Sequence, residues 1–154
     1  MNGVDELSSP ALETRLQADA ALAEAGRAAV PALIGLLSDV RAAEEARWRA
    51  AFALGTLGDS AAGAGPSTRL GDGCWSVRHA CACALGELGD PAALPALWAV
   101  VTAPEPDEQT NYVAAIGLLR ISRSRGEAML RAAAAGSSRA GRNTALSALA
   151  SLSY

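Results

Sequence analysis

The sequence predicts an all-α fold in which helical hairpins stack into an α-solenoid. Three observations support this prediction: an alanine-rich composition, an internal repeat of about 31 residues, and apolar positions at helical spacing within each repeat. Alanine supplies 37 of the 154 residues, whereas aromatic residues supply only 4%. Because alanine is the best helix former and carries little bulk, its abundance indicates a core of closely approaching helices. The chain is long enough to bury such a core in one domain.

The repeat is clearest when two segments are aligned. The segment "ARWRAAFALGTLGDSA" (46–61) matches "VRHACACALGELGDPA" (77–92) through a shared Arg, Ala-Leu-Gly and Leu-Gly-Asp. Residues 14–37 follow the same pattern, and weaker copies lie at 110–122 and 141–153. We therefore predict one repeat domain, 10–154, after an N-terminal extension, 1–9. Its predicted units are about 10–40, 41–73, 74–104, 105–138 and 139–154.

Each complete unit is predicted to contain two helices. The first helix of the third unit has an apolar stripe at helical spacing: Val77, Ala80, Cys81, Ala84, Leu85 and Leu88. Gly89 is suited to end that helix in a left-handed conformation, and Asp90 to cap the second helix, which Pro91 begins. The second helix has its own stripe: Leu94, Leu97, Trp98 and Val101. Because neither helix can bury its stripe alone, neighbouring hairpins are expected to stack.

The second unit departs from this pattern at its second helix. The stretch "DSAAGAGPSTRLGDG" (59–73) contains four glycines, Gly63, Gly65, Gly71 and Gly73, together with Pro66. Since each glycine costs roughly 1 kcal/mol in a helix and proline about 3, we expect a loop with room for one short turn. A missing second helix would leave a notch between units one and three. The apolar residues expected to flank the notch are Ile34, Leu37, Leu94 and Trp98.

The pattern "VR…A…ALGELGD-PAALPAL" resembles the short HEAT-like repeat of phycobilisome-lyase-type proteins. The resemblance covers roughly residues 10–154 and is strongest in the third unit. It implies about four and a half HEAT-like hairpins, with the first helices on the convex side and the second helices on the concave side. HEAT repeats mostly serve protein binding, although the class also includes bilin lyases, DNA glycosylases and a metal-dependent hydroxylase. The resemblance therefore implies a fold and leaves the function open.

One arginine recurs near the start of the first helix of each unit, with Asn111 in its place in the fourth. The positions are Arg15, Arg47, Arg78 and Arg142. In HEAT-like repeats of this pattern, such an arginine usually pairs with the aspartate between the two helices, here Asp59 and Asp90. The resemblance thus implies a structural ladder rather than a phosphate or carboxylate site.

The residues that follow these arginines suggest a binding surface. Across the middle three units, Trp48/Phe52, His79/Cys83 and Tyr112/Ile116 form two adjacent columns, with Trp75 nearby. Aromatic residues beside arginine are enriched in protein interfaces, although the same side chains could instead fill space between helices. The candidate binding residues are Trp48, Phe52, Arg69, Trp75, His79 and Tyr112.

A catalytic interpretation depends on His79 and Cys83, which share one face of a predicted helix. The pair could serve as base and nucleophile, or as half a metal site with Cys74. The sequence contains no CxxC, no HExxH and no second histidine, and it lacks the His-Glu pairs of the HEAT-like hydroxylases. We therefore expect no metal and no cofactor. The alternative function is a small bacterial lyase, isomerase or cyclase that uses the notch as a pocket and His79 as acid–base.

Charge is distributed unevenly along the chain. Residues 1–108 carry seven arginines against fifteen acidic residues, whereas 109–154 carry six arginines against one glutamate. Lysine is absent and the isoelectric point is about 5.1. Because nucleic-acid-binding domains usually have a strong basic excess, nucleic acid is an unlikely partner.

The remaining expectations concern location and partners. No apolar run is long enough to predict a membrane span, and the acidic N-terminus argues against a secretory signal. Three cysteines, an odd number, favour a reducing cytoplasm. The alanine- and arginine-rich composition is typical of a GC-rich bacterial genome.

We expect a binding module or scaffold without a catalytic motif of its own. Its partner would be a protein or a second copy of the chain, with a small-molecule ligand possible.

Overall fold

The computed structural model describes residues 3, 4, 7, 12–103, 107–136 and 138–153. These residues form helices joined by short turns, with no strand among them, and they confirm the predicted all-α solenoid. The helices are α1 (Leu12–Ala25), α2 (Val30–Ser38), α3 (Glu44–Leu57), α4 (Ala64–Thr68), α5 (Trp75–Leu88), α6 (Leu94–Thr102), α7 (Glu108–Ile121), α8 (Arg123–Gly136) and α9 (Arg139–Ala150). Short 3₁₀ turns lie at Gly26–Ala29, Ser60–Gly63, Pro91–Ala93 and Ser151–Ser153.

The turns between paired helices follow the predicted chemistry. Helices α3 and α5 end at Gly58 and Gly89, each with a φ of +67°, the left-handed conformation that glycine adopts without steric cost. The side chains of Asp59 and Asp90 then accept hydrogen bonds from the backbone N–H two residues later, at 3.0 and 2.9 Å. Each of these aspartates caps the 3₁₀ turn that leads into the second helix of its unit.

The first helices of units two to four pack together through small residues. A Cβ atom added at Gly55 in α3 would lie 2.8 Å from the Cα of Ala84 in α5. A Cβ added at Gly86 in α5 would lie 3.2 Å from the Cα of Gly117 in α7. Glycine at these positions lets the backbones of α3, α5 and α7 approach as the alanine-rich composition predicted.

The notch expected in the second unit is absent, and this prediction was wrong. Residues 60–68 form a 3₁₀ turn followed by the short helix α4, which packs against α2 and α5. A Cβ at Gly65 would lie 3.1 Å from Ile34, and Pro66 is buried. Leu37 and Leu94, expected to flank an open notch, are 0% and 1% exposed. Glycine here permits close packing, and that packing outweighs the poor intrinsic helix propensity of the segment.

Two of the recurring arginines, Arg47 and Arg78, form ion pairs, but their partners differ from the predicted Asp59 and Asp90. Arg47 pairs with Asp72, and both side chains are 5% exposed. The guanidinium of Arg78 lies 2.8 Å from the carboxylate of Asp107. Asp107 directly precedes α7 and Asp72 lies three residues before α5, so each arginine is tied to the segment that leads into the first helix of the next unit.

The two aspartates predicted to form the ladder have other roles. Asp59 pairs with Arg27 at 2.7 Å, and Asp90 acts as the cap described above. In the last unit Arg142 is exposed, and the side chain of Arg15 lies outside the described residues.

In units two to four, the residue at the arginine position also binds a carbonyl group near the end of the preceding unit. The Nε of Arg47 donates to the carbonyl oxygen of Leu37 at 3.5 Å, and Nη1 of Arg78 donates to that of Asp72 at 2.7 Å. In the fourth unit, the side-chain amide of Asn111, oriented as a donor, lies 3.2 Å from the carbonyl oxygen of Val100. Asparagine thus keeps the carbonyl contact without the ion pair.

The predicted N-terminal extension contributes to the core. Val4 is 6% exposed and Leu7 is 1% exposed. A Cβ at Gly3 would lie 3.0 Å from the carbonyl oxygen of Ala18, which places this part of the extension against α1.

One helical stretch among the described residues, 17–38, is long and apolar enough to cross a membrane by length and composition, with a mean hydropathy of 1.5. Within the fold, the stretch is interrupted at Gly26, whose φ is +52°. Leu22, Leu33 and Leu37 of this stretch lie in the core. Burial against neighbouring helices therefore accounts for part of its apolar character.

Candidate binding site

An open groove of about 660 Å³ lies between α1 and α3. We call it the α1/α3 groove. Its lining is mainly apolar and comprises Asp19, Leu22, Ala23, Gly26, Trp48, Arg49, Phe52, Ala53, Thr56 and Leu57. The α3 wall contains two of the predicted binding residues, whereas the sequence reasoning did not identify the α1 wall as part of a site.

Two aromatic side chains dominate the α3 wall. The rings of Trp48 and Phe52 meet edge to face with centroids 5.7 Å apart, and Phe52 is 40% exposed. The guanidinium of Arg49 lies 4.8 Å from the Trp48 ring and donates to Glu45 at 2.9 Å. Because the contacts with Phe52 and Arg49 restrict the Trp48 ring, the groove presents a preorganised aromatic surface.

The groove exists because α1 and α3 lack the close glycine contact of the later helices. Ala23 lies 32 residues before Gly55 and so occupies the equivalent position in the first unit. Its expected neighbour in α3 is Ala53, which corresponds to Ala84 in α5. Ala23 and Ala53 both line the groove, whereas Gly55 contacts Ala84 closely. This alanine in place of glycine was the signal in the sequence that could have located the groove.

The remaining aromatic candidates lie elsewhere. Trp75 is 54% exposed at the start of α5, and its ring packs edge-on against His79 with centroids 6.2 Å apart. Tyr112 lines a separate depression of about 330 Å³ between α7 and α9, beside Asn143 and Ser147. The aromatic candidates thus lie in three places on the surface, whereas Phe52, Cys83 and Ile116, which form one of the predicted columns, line one shared depression.

Arg69 has a structural contact in this fold. Its Nη2 donates to the carbonyl oxygen of Ser38 at 3.0 Å, at the C-terminal end of α2. This bond helps to fix the segment after α4.

The proposed catalytic pair lies on α5. Cys83 is half-buried in a depression of about 250 Å³ that Phe52 and Arg120 also line. Burial, with the nearby Glu87 carboxylate, raises the pKa of the Cys83 thiol although Arg120 opposes the shift. Nδ1 of His79 is buried without a hydrogen-bond partner in the described part of the chain. A protonated thiol beside an unpartnered imidazole nitrogen does not form an activated nucleophile.

The described residues contain no group of three or more His, Cys, Asp or Glu side chains placed to hold a metal ion. Cys74, the third ligand considered above, is half-buried just before α5. Cys81 is buried, and its burial raises the pKa of its thiol to about 12. Cys81 therefore acts as a core residue.

The family comparison matches HEAT repeats over residues 41–110. Among solved structures, the chain is similar to the complex of CpcE and CpcF of phycocyanin lyase from Nostoc sp. PCC7120, with 26% identity and a TM-score of 0.61. It is also similar to human deoxyhypusine hydroxylase in complex with glycerol, with 24% identity and a TM-score of 0.67, a likeness of fold. No curated protein sequence matches the chain at a significant level.

The two structural matches cover 96% of this chain but 62% and 59% of the matched chains. The chain therefore spans about three fifths of their length. Its helices stack unit on unit, as in those proteins, and its second and third units carry the repeat pattern itself. Residues 41–110 thus match HEAT repeats, and the fold of the chain is an α-solenoid similar to those of the two solved structures.

Proposed function

We propose that this chain is a protein-binding module whose binding surface is the α1/α3 groove. The observation that carries the proposal is an aromatic pair, half-buried Trp48 and exposed Phe52, on the wall of an open, mainly apolar groove. Aromatic anchors in such recesses commonly supply most of the affinity of an interface, because they bury a large apolar area at little entropic cost.

The polar groups of the groove favour a partner that brings a cation beside an apolar side chain. Arg49 is already bonded to Glu45, and the Thr56 hydroxyl donates to the carbonyl oxygen of Phe52. The carboxylate of Asp19, exposed on α1, has no comparable contact among the described residues. An apolar side chain would fill the groove while a neighbouring cation contacts Asp19.

The similarity to phycocyanin lyase supports a role in association, since that structure is a complex of CpcE with CpcF. The enzyme alternative has less support, because α4 fills the notch that would have been its pocket and Cys83 is held as a thiol. The three cysteines are free, which agrees with the bacterial cytoplasm as the setting of this module.

A small molecule is the second candidate occupant. The groove volume of about 660 Å³ falls within the range of about 300–1,000 Å³ usual for small-ligand pockets. A thermal-shift screen against wild type and Phe52→Asp would identify such a ligand, since only the wild type should be stabilised.

The protein-binding proposal is tested by capture followed by a binding measurement. Immobilised wild type and Phe52→Asp are exposed to a bacterial lysate, and a protein retained by the wild type alone is identified and purified. We expect titration calorimetry to show at least about tenfold weaker binding for Phe52→Asp, because a charge replaces an aromatic anchor.

Tyr112→Asp is the matched control, since Tyr112 is also 40% exposed but lies outside the groove. It should bind as tightly as the wild type. Equal losses in the two variants, or no loss in either, would place the binding surface elsewhere.

A further inference from the structure

We infer that the α1/α3 groove accepts helix α9 of a second copy of this chain, so that copies associate head to tail. The inference rests on the proposed function, because it names the partner of the same groove. Three features carry it: the exposed face of α9, the opposite charges of the two surfaces, and their matching lengths.

The exposed face of α9 combines cations with one large apolar side chain. Its outward residues recur at helical spacing along the whole helix: Arg139, Arg142, Leu146 and Ala150. Leu146 is 52% exposed, although it is one of the few large apolar residues of the C-terminal unit. A helix with such a stripe is the kind of element that docks into an apolar groove.

The charges of the two surfaces are complementary. The α1 wall presents Asp19 within the groove and Glu24 close by, both exposed. Helix α9 contains two arginines and no acidic residue. Arg142 and Leu146 are one helical turn apart, so an arginine can reach Asp19 while the leucine packs between Leu22 and Phe52.

Some other arginines of the C-terminal units already form ion pairs within the chain. Arg120 pairs with Glu87 at 2.5 Å, and Arg123 pairs with Glu127 at 3.2 Å. The ion pairs of the described residues do not include Arg139 or Arg142. The two α9 arginines are therefore available to a second copy, and they lie on the same face as Leu146.

The dimensions agree as well. Helix α9 has 12 residues and is therefore about 18 Å long. The α3 wall of the groove runs over residues 48–57, about 15 Å at the same rise per residue. One face of α9 can thus occupy the groove from end to end.

The groove and α9 are different surfaces of one chain, so the contact is heterologous. Each copy keeps a free groove at one end of the assembly and a free α9 at the other, and copies add in series until a ring closes. This geometry predicts complementation between two variants that are each unable to associate alone.

The experiment uses sedimentation velocity on the full chain, of 15.6 kDa, from about 1 to 100 µM. The wild type should show a sedimentation coefficient that rises with concentration, and less so at high salt. Phe52→Asp, which blocks the groove, and Leu146→Asp, which blocks α9, should each remain monomeric. Their equimolar mixture should form a species of twice the monomer mass and nothing larger, because one intact groove meets one intact α9.

Asp19→Arg serves as a second groove variant, since Asp19 is exposed and its replacement leaves the Trp48–Phe52 contact intact. It should weaken association at least tenfold, and Asp19→Arg with Arg142→Asp in one chain should restore it. A wild type that stays monomeric overturns the self-docking inference. It does not contradict the proposal that the groove binds another protein. The inference is also overturned if the wild type associates but the mixture of Phe52→Asp and Leu146→Asp does not. A contact between identical surfaces would give that result.

Discussion

Arg78 and Asp107 lie 29 residues apart in the sequence, yet their side chains meet at 2.8 Å and join α5 to the beginning of α7. The same arginine donates to the carbonyl oxygen of Asp72 at 2.7 Å. Arg47 repeats this arrangement one unit earlier, with Leu37 and Asp72 as its partners. The polar contacts thus fix the register between hairpins whose apolar surfaces are largely alike.

The first prediction concerns the stability that this contact provides. Arg78→Ala should lower the free energy of unfolding by about 1–3 kcal/mol, because Asp107 and the Asp72 carbonyl lose their donor. Urea denaturation measures the change. Arg142→Ala is the matched control, since Arg142 holds the same repeat position in α9 but is exposed, and it should change stability by less than about 0.5 kcal/mol. Equal losses in both variants would contradict the role assigned to Arg78.

The second prediction concerns acid stability. Burial alone would raise the pKa of Asp107, but hydrogen bonds from Thr110 and Arg78 outweigh it and hold the pKa below its ordinary value of 3.8. A carboxyl group with a lower pKa in the folded state stabilises the fold above its unfolded pKa. That contribution is lost as the pH falls through the folded pKa.

Asp107→Asn should therefore be less stable than wild type at neutral pH, and the difference should shrink below about pH 4. Urea titrations between neutral pH and the acid limit measure it. A difference that is constant across this range would mean that the Asp107 carboxylate does not stabilise the fold.

The helices and their turns could be predicted from the sequence because their signals are local. Gly89 and Asp90 stand next to each other, and their roles depend on backbone geometry within a few residues. The ion-pair partners of Arg47 and Arg78 could not be read from the repeated motif, which contains Asp59 and Asp90 but not the true partners. An aspartate just before α5 and another before α7 were the available signals.

The second unit shows why composition misled the prediction. Helix propensity treats Gly65 as a cost, but in the fold this glycine lets α4 pack closely against Ile34 of α2. Tertiary contacts of this kind lie outside any single segment. The α1/α3 groove was missed for a related reason, since it depends on whether Ala23 or a glycine stands at one contact between helices.

The third prediction tests the enzyme alternative through thiol reactivity. Since burial and Glu87 raise the pKa of Cys83, its thiolate is scarce at neutral pH. Cys74→Ser, which retains Cys83, should react with a disulfide reagent about tenfold or more slowly than an unstructured peptide cysteine. Cys83→Ser, which retains the half-buried Cys74, is the comparison. If Cys83 instead reacts faster than the peptide, it is an activated thiolate and the catalytic interpretation regains support.

The last prediction contrasts two glycines that the same substitution should affect in opposite directions. Gly35 lies in α2, is exposed, and has nothing within 4 Å of an added Cβ. Gly35→Ala should therefore stabilise the protein by about 0.5–1 kcal/mol, because alanine loses less conformational entropy in a helix.

At Gly55 the added Cβ would lie 2.8 Å from the Cα of Ala84, and neither helix backbone can yield as a flexible side chain would. Gly55→Ala should cost about 1–3 kcal/mol through the forced separation of α3 and α5, measured by thermal and urea unfolding of both variants. If both substitutions stabilise the protein, α3 and α5 do not pack as closely as the glycine contact requires. The groove between α1 and α3 would then lose its explanation as a place where that glycine contact is missing.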